Sequence, residues 1–239
     1  MHSANPRTGI RRAQTQRINR AVDEALQSAD AGALLALLAL AADEATIPLC
    51  DRVFRRATRL ARRDRTETAA IISARNRRVL EIYAHRAPKG WFSAWCDGSS
   101  TTDDFGRRAG IGLVLMDAQH ALIAALGEPA GALSPLDAEL AALEATVTTA
   151  AAGGAGYLRV YTDCPALVHL WQDRRDNDSL SGMRQAARPL RRLQLRLVPR
   201  RFNQVANALA RGAVRRAQGQ IDQVPHSAQN HSKAGNDRS

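Results

Sequence analysis

The stretch that most constrains this chain is Trp95-Cys96-Asp97-Gly98-Ser99-Ser100, an apolar run that passes directly into a carboxylate and small residues. It reads as a short strand with one acidic side chain at its end. Asp-Gly is also among the commonest turn pairs, so alone the stretch predicts no more than the start of a loop. Three later positions extend the pattern. Glu139 lies at the start of an Ala/Leu-rich helical run, Asp163 follows the strand-like run Tyr157–Thr162, and Asn207 sits within Asn203-Gln204-Val205-Ala206-Asn207. Oxygen ligands at strand ends and helix starts of one mixed α/β sheet would be held rigidly over a single edge.

The elements between these positions follow from hydrophobic period. Trp91–Cys96, Ala109–Met116 and His120–Leu126 read as three strands of a meander, with Asp117-Ala118 as a turn. Leu136–Ala151 reads as a helix with Leu140, Leu143 and Val147 on one face, ended by Gly153-Gly154-Ala155-Gly156. Tyr157–Thr162 is a strand, Ala166–Gln172 a helix, Asp173–Ser181 a charged loop, and Met183–Leu190 a further helical stretch. Leu193, Leu195 and Leu197 alternate with polar residues as a half-buried strand, and Asn203–Gln218 is the last helix. The order over residues 91–218 is βββαβαβα.

Before residue 91 the period is helical. Residues 1–11 read as disordered, 12–86 as a basic helical domain, and 87–90, with Pro88 and Gly90, as a linker. Val22, Leu26, Ala29 and the run Leu34–Leu40 carry the first helical pattern; Leu49, Val53, Phe54, Ala57 and Leu60 carry a second, with arginines filling its other faces. A third spans Thr66–Tyr83, with Arg75, Arg77 and Arg78 expected on its exposed side. A bundle of roughly 70 to 80 residues is near the lower limit for independent folding. Its arginines, Arg52 to Arg65, favour a nucleic-acid clamp, whereas Leu34–Leu40 favours a homodimer or protein-partner interface. Residues 219–239 are polar and read as a disordered tail.

Composition narrows the partner. A net charge of +11 over 239 residues, nearly all the excess being arginine, points to a polyanion, nucleic acid before membrane. The longest apolar run, Ala31–Ala42, is too short to cross a bilayer. Cys50, Cys96 and Cys164 have no metal-ligand spacing and read as reduced thiols of a cytoplasmic protein.

Five segments together carry a family likeness: Ala94–Ser99, Gly110–Val114, Asp137–Leu143, Val160–Cys164 and Val198–Ala210. In this order they resemble the type 1 ribonuclease H domain, over about Trp91 to Gln218. The resemblance implies the α/β ribonuclease H-like fold, a five-stranded mixed sheet flanked by helices, here preceded by the small all-helical domain. It implies hydrolysis of the RNA strand of an RNA–DNA hybrid with two Mg²⁺ ions, for which Mn²⁺ could substitute. Asp97, Glu139 and Asp163 become the implied catalytic metal ligands, and Asn207 stands where the family usually has a fourth, aspartate ligand. A mobile histidine common in the family is replaced by Arg200-Arg201-Phe202, as in a histidine-less subset.

The chemistry of those residue types can be argued without the family. Two divalent ions about 4 Å apart make water nucleophilic and neutralise a leaving oxyanion, and clustered carboxylates supply the charge that holds them. An asparagine removes one negative charge and the bidentate option, so a metal beside Asn207 should bind more weakly. Asp103 and Asp104, or Asp176 and Asp178, are substitutes of lesser promise. His169 reads as a partly buried structural histidine and Cys164 as packing. Substrate contact falls to Ser99 and Ser100, able to reach a backbone or 2′-hydroxyl, and to Arg188, Arg192, Arg200 and Arg201 within an arginine-rich last third. Trp171 is the best base-stacking candidate, although a tryptophan late in an amphipathic helix is more often core. The competing function is a weak or inactive module of the same fold that binds RNA–DNA hybrid or double-stranded RNA, and a third is a protein-interaction scaffold.

Overall fold

The computed structural model describes residues 16, 20, 24, 46–60, 64–104, 106–173 and 180–222. The chain divides into two compact units, 1–86 and 87–239. In the first, the described elements are α1 (Thr46–Leu60) and α2 (Arg65–His85). The Leu34–Leu40 run lies outside the described residues, as do both chain ends. Asp64 caps α2 by accepting from the N–H groups of Thr66 and Glu67 at 2.8 and 3.1 Å.

Helical spacing decides what these two helices bury. On α1, Cys50, Val53 and Ala57 are inside, while Arg55 and Arg59 are exposed. On α2, Thr68, Ile71, Arg75, Val79 and Ile82 form the buried stripe. Arg75 was expected on the surface and is instead fully buried. It falls four residues after Ile71 and four before Val79, so the helix turns it inward whatever its charge. Its guanidinium donates to Asn76 Oδ1 at 2.9 Å. Burial pushes the Cys50 thiol up to about 11, against the opposing pull of Arg75 and Arg78.

The second unit contains β1 (Phe92–Asp103), β2 (Gly106–Met116), β3 (Leu122–Pro129), α3 (Pro135–Ala152), β4 (Tyr157–Thr162), α4 (Pro165–Gln172), α5 (Ser181–Ala186), β5 (Arg192–Leu197) and α6 (Gln204–Asp222). A 3₁₀ turn, Arg200–Phe202, precedes α6. The sheet order is β3-β2-β1-β4-β5, antiparallel through β3-β2-β1 and parallel through β1-β4-β5. This is the expected five-stranded mixed sheet. α6 runs to Asp222, four residues past the expected helix end at Gln218.

Strand parity sorts the side chains between two layers. Ala94 and Cys96 of β1, Leu158 and Val160 of β4, and Leu195 of β5 enter one core with Leu143 and Val147 of α3 and Leu167 of α4. Trp95 and Tyr161 face the other way, their rings 5.2 Å apart. On that face α6 lies almost directly on the sheet. A Cβ on Gly112 would come within 2.1 Å of the Ala206 carbonyl oxygen, and one on Gly110 within 2.6 Å of that of Ala210. The glycines of β2 therefore set how deeply α6 sits.

Three local readings change. His120 was expected to begin the third strand, but it adopts φ 66° in a turn where Asp117 Oδ1 accepts from the N–H groups of Gln119 and Ala121. Leu197, read as half-buried, is 53% exposed because β5 is a sheet edge. His169 is exposed on α4, whereas Trp171 packs against the core.

Candidate functional site

Asp97 is not at the end of its strand. β1 is twelve residues long, and Asp97 lies near its middle, opposite Gly112 of β2. What ends there is the neighbouring strand. The parallel pairing with β4 is last seen at Trp95 and Tyr161, and β4 stops at Thr162. The sheet therefore opens between β1 and β4 just where Asp97 and Asp163 stand, which leaves both carboxylates at a crevice beyond a parallel strand's carboxyl end.

Gly98 brings the third carboxylate in. A Cβ there would lie 2.3 Å from both the Ala138 carbonyl carbon and the Glu139 nitrogen. Only glycine allows the first turn of α3 to approach so closely, and the turn reading of Asp97-Gly98 is replaced by this packing role. The approach lets Glu139 Oε2 accept from the Gly98 N–H at 3.1 Å. α3 is started by Ser134, which accepts from Asp137 N–H and donates to Asp137 Oδ2, with Pro135 in the first turn.

Asp163 is fixed by its own turn and by Asn203. Thr162 Oγ1 accepts from Cys164 N–H at 3.1 Å, bending the chain into α4. Asn203 is 1% exposed, and its Nδ2 donates both to Asp163 Oδ1 and to the Cys96 carbonyl, the latter at 2.9 Å. It thus ties β1, the end of β4 and the start of α6 together. Sequence reading passed over Asn203 because asparagine before a helix is an ordinary cap. Its burial, which is the functional signal, comes only from tertiary packing. Arg200 Nη1 stands 4.0 Å from Asp163 Oδ2 on an otherwise exposed side chain.

The electrostatics record how closely the acids are packed. Burial, reinforced by the Glu139 and Asp163 charges, pushes the Asp97 carboxyl up to about 8. Burial raises Glu139 to about 7, Asp163 adding to the effect while the Gly98 N–H and Arg200 oppose it. Among the described residues no three Asp, Glu, His or Cys side chains form a ready-made cage. Glu139 and Asp163 each give one oxygen to a protein donor. The donor set nonetheless suits a hard divalent cation: three oxygen ligands whose mutual repulsion such an ion would relieve.

The other expected residues are distributed unevenly. Asn207 is 7% exposed on α6, within the turn that rests on Gly112, Asp97's cross-strand partner. Ser99 and Ser100 lie on β1 itself, and Ser100 Oγ donates to the Leu133 carbonyl. Arg201 lies over the Phe202 ring at 4.8 Å. Arg188 follows α5 on the surface. Arg192 opens β5 opposite Tyr157, at the far end of β4 from Asp163, and stacks on Trp91 at 5.8 Å. Asp103, at the hairpin tip, is ion-paired to Arg108. Asp176 and Asp178 lie outside the described residues. Burial raises the Cys164 thiol, which argues against a thiolate nucleophile.

Residues 96–213, just under half of the chain, match the family model described as Reverse transcriptase-like. No curated protein matches. Among solved structures, the chain is similar to ribonuclease H1 from the halophilic archaeon Halobacterium salinarum, with 25% identity, 53% of this chain and 99% of that one covered, and a TM-score of 0.48. It is similar also to the N-terminal ribonuclease H domain of a Mycobacterium tuberculosis protein, with 23% identity, 54% and 98% covered, and a TM-score of 0.47. A third is a compost-derived ribonuclease H1 in complex with RNA/DNA hybrid, with 20% identity, 53% and 99% covered, and a TM-score of 0.46.

Proposed function

We propose that the second unit is a ribonuclease H-like domain, a reading supported by its match to the Reverse transcriptase-like family model and by its sheet order, and that it is a divalent-metal-dependent endonuclease that hydrolyses the RNA strand of RNA–DNA hybrids. The observation that carries the reading is the meeting of Asp97, Glu139 and Asp163 at one opening in the sheet, where burial and their neighbouring charges make Asp97 and Glu139 weaker acids than usual. A purely structural set of acids would sit apart or pair with bases; these crowd together at a crevice.

Within that reading each residue has a defined task. Asp97, Glu139 and Asp163 would hold the ions, which when bound activate water and neutralise the leaving oxygen. Gly98 N–H orients Glu139, and Asn203 Nδ2 fixes the rotamer of Asp163. Arg200 puts a positive charge at the rim, where a phosphate would approach. Asn207 offers a carboxamide on the turn of α6 nearest β1, with no charge of its own. That neutrality supports the second reading, a weakly active or inactive hybrid-binding module.

The deciding experiment is cleavage of an end-labelled RNA strand annealed to DNA, in Mg²⁺ and in Mn²⁺, by the native protein, Asp97→Asn and Asn207→Asp. The expected result is cleavage by the native protein, none by Asp97→Asn, and about a tenfold lower half-saturating Mg²⁺ concentration for Asn207→Asp. Cleavage by Asn207→Asp alone would establish the binding module instead.

A further inference from the structure

The carboxylates do not use all of the polar surface along β1. Beyond them, the outer half of β1 and the Arg211–Gln218 stretch of α6 border an open cleft of about 570 Å³. One wall carries Ser99 and Thr101, which share a strand face with Asp97 at successive alternate positions. The other carries Arg211 and Arg215, one and two helical turns beyond Asn207 on the same stripe of α6.

The two walls have nearly the same repeat. Alternate strand residues are about 6.7 Å apart, and residues one turn apart on a helix about 6 Å. Both are of the order of the separation between successive phosphates of a nucleic-acid strand. The cations on the helix are also available. Neither Arg211 nor Arg215 has a carboxylate partner among the described residues, and both are exposed. The adjacent Arg216 differs, since it donates to the Gly127 carbonyl on β3. At the outer end Gln218 is held by Arg108, itself ion-paired to Asp103, so the cleft ends at a fixed polar wall.

We propose that this cleft carries the cut strand onward from the scissile phosphate, Arg211 and Arg215 each taking one of the next two phosphates while Ser99 and Thr101 line the sugar side. The proposal rests on the ribonuclease reading above and adds to it a direction: the substrate strand leaves the carboxylates along β1 toward the β1–β2 hairpin. Two phosphates neutralised by arginine should appear directly in the salt dependence of binding.

The test uses full-length protein carrying Asp97→Asn, so that binding is read without cleavage, and an RNA–DNA hybrid followed by fluorescence anisotropy over a salt series. Arg211→Ala with Arg215→Ala should lower affinity about 10- to 100-fold and reduce the log–log salt slope by roughly 1.8. The Lys pair at the same positions should restore the slope. Alanine suits exposed helix positions, so loss of fold is not expected and is checked by thermal melting. Uncharged methylphosphonate linkages placed singly along the RNA strand give the second readout. One or two linkages on one side of the cut site should weaken binding to the arginine-bearing protein and leave the Ala pair unaffected. Equal salt slopes, or methylphosphonate effects that persist in the Ala pair, would overturn the cleft assignment while leaving the nuclease reading standing. Absence of cleavage by the native chain alongside an arginine-dependent slope would do the reverse.

Discussion

The two ends of the β1–β4 pair are built on opposite principles. At the amino end, Trp91 lies 5.5 Å from the Tyr157 ring and carries the guanidinium groups of Arg159 and Arg192 at 5.9 and 5.8 Å. Gln194 holds Arg159 with two hydrogen bonds. Aromatic faces and cations attract, so that end is locally self-consistent. At the carboxyl end, three acids share a buried opening, and two of them are displaced toward neutrality. The same two strands thus hold a contented end and a frustrated one. The frustrated end is where chemistry is expected, because a site that already satisfied itself would have nothing to offer a cation or a phosphate.

The most severe way to break the contrast is to remove one acid. Asp97→Asn keeps the shape and deletes a charge, and it should lower hybrid cleavage by roughly 10³-fold or more. The measurement is single-turnover cleavage at saturating Mg²⁺. Retention of more than a tenth of the native rate would sink the catalytic assignment of Asp97.

Next in size is the backbone device that assembles the site. Gly98→Ala places a methyl group 2.3 Å from α3 backbone atoms. Since neither strand nor helix can yield, the cost is about 3 kcal/mol. Urea unfolding should show it, and cleavage should fall because Glu139 is displaced with its helix. Gly131→Ala is the comparison for a glycine whose constraint is its positive φ, with nothing within 4 Å. Its effect should be smaller and should spare cleavage.

The frustration should also be visible as a pH dependence. Asp97 and Glu139 have folded values of about 8 and about 7, above their ordinary 3.8 and 4.5. The folded state therefore binds more protons than the unfolded one in this interval. The associated stability is fully present below about pH 4 and is lost as pH rises through 7 and 8. In a chelator, stability should fall by several kcal/mol between pH 5 and pH 9 on account of these groups. Asp97→Asn should flatten that slope and be the more stable protein at pH 8.5. Added Mg²⁺ should offset the fall at high pH by binding the ionised form. A slope unchanged by Asp97→Asn would show that the acids do not couple.

How much of this was legible in the sequence depends on which physical scale wrote it. The short apolar runs of β2 and β4 and the helical period of α3 are local, so element order and the Tyr157–Thr162 strand could be read directly. Glu139 and Asp163 could be picked out because each stands where one element gives way to another, and Asp97 because it ends an apolar run, although β1 continues past it to Asp103. The role of Gly98 could not. Its neighbour, the first turn of α3, is forty residues away in sequence, and Asp-Gly has a perfectly good local explanation as a turn. Asn203 was hidden for the same reason, its partners being Cys96 in β1 and Asp163 just after β4. Arg75 shows the opposite failure: residue type suggested surface where helical spacing placed it inside.

The smallest expected effect sharpens the comparison from its contented side. Arg192 was grouped by charge with residues that contact nucleic acid, yet it starts β5 beside Tyr157, six residues before Asp163. Six strand residues span about 20 Å, too far for its guanidinium to meet a phosphate held at the carboxylates. Its visible partner is the Trp91 ring. Arg192→Ala should therefore cost about 0.5 to 1 kcal/mol of stability, the worth of one exposed cation–π contact. KM for hybrid and its salt dependence should stay unchanged. If KM instead rises and the salt slope falls by about one charge, the substrate reaches the amino end of the sheet. The two ends would then be one continuous binding surface, and their opposite chemistries two parts of the same recognition.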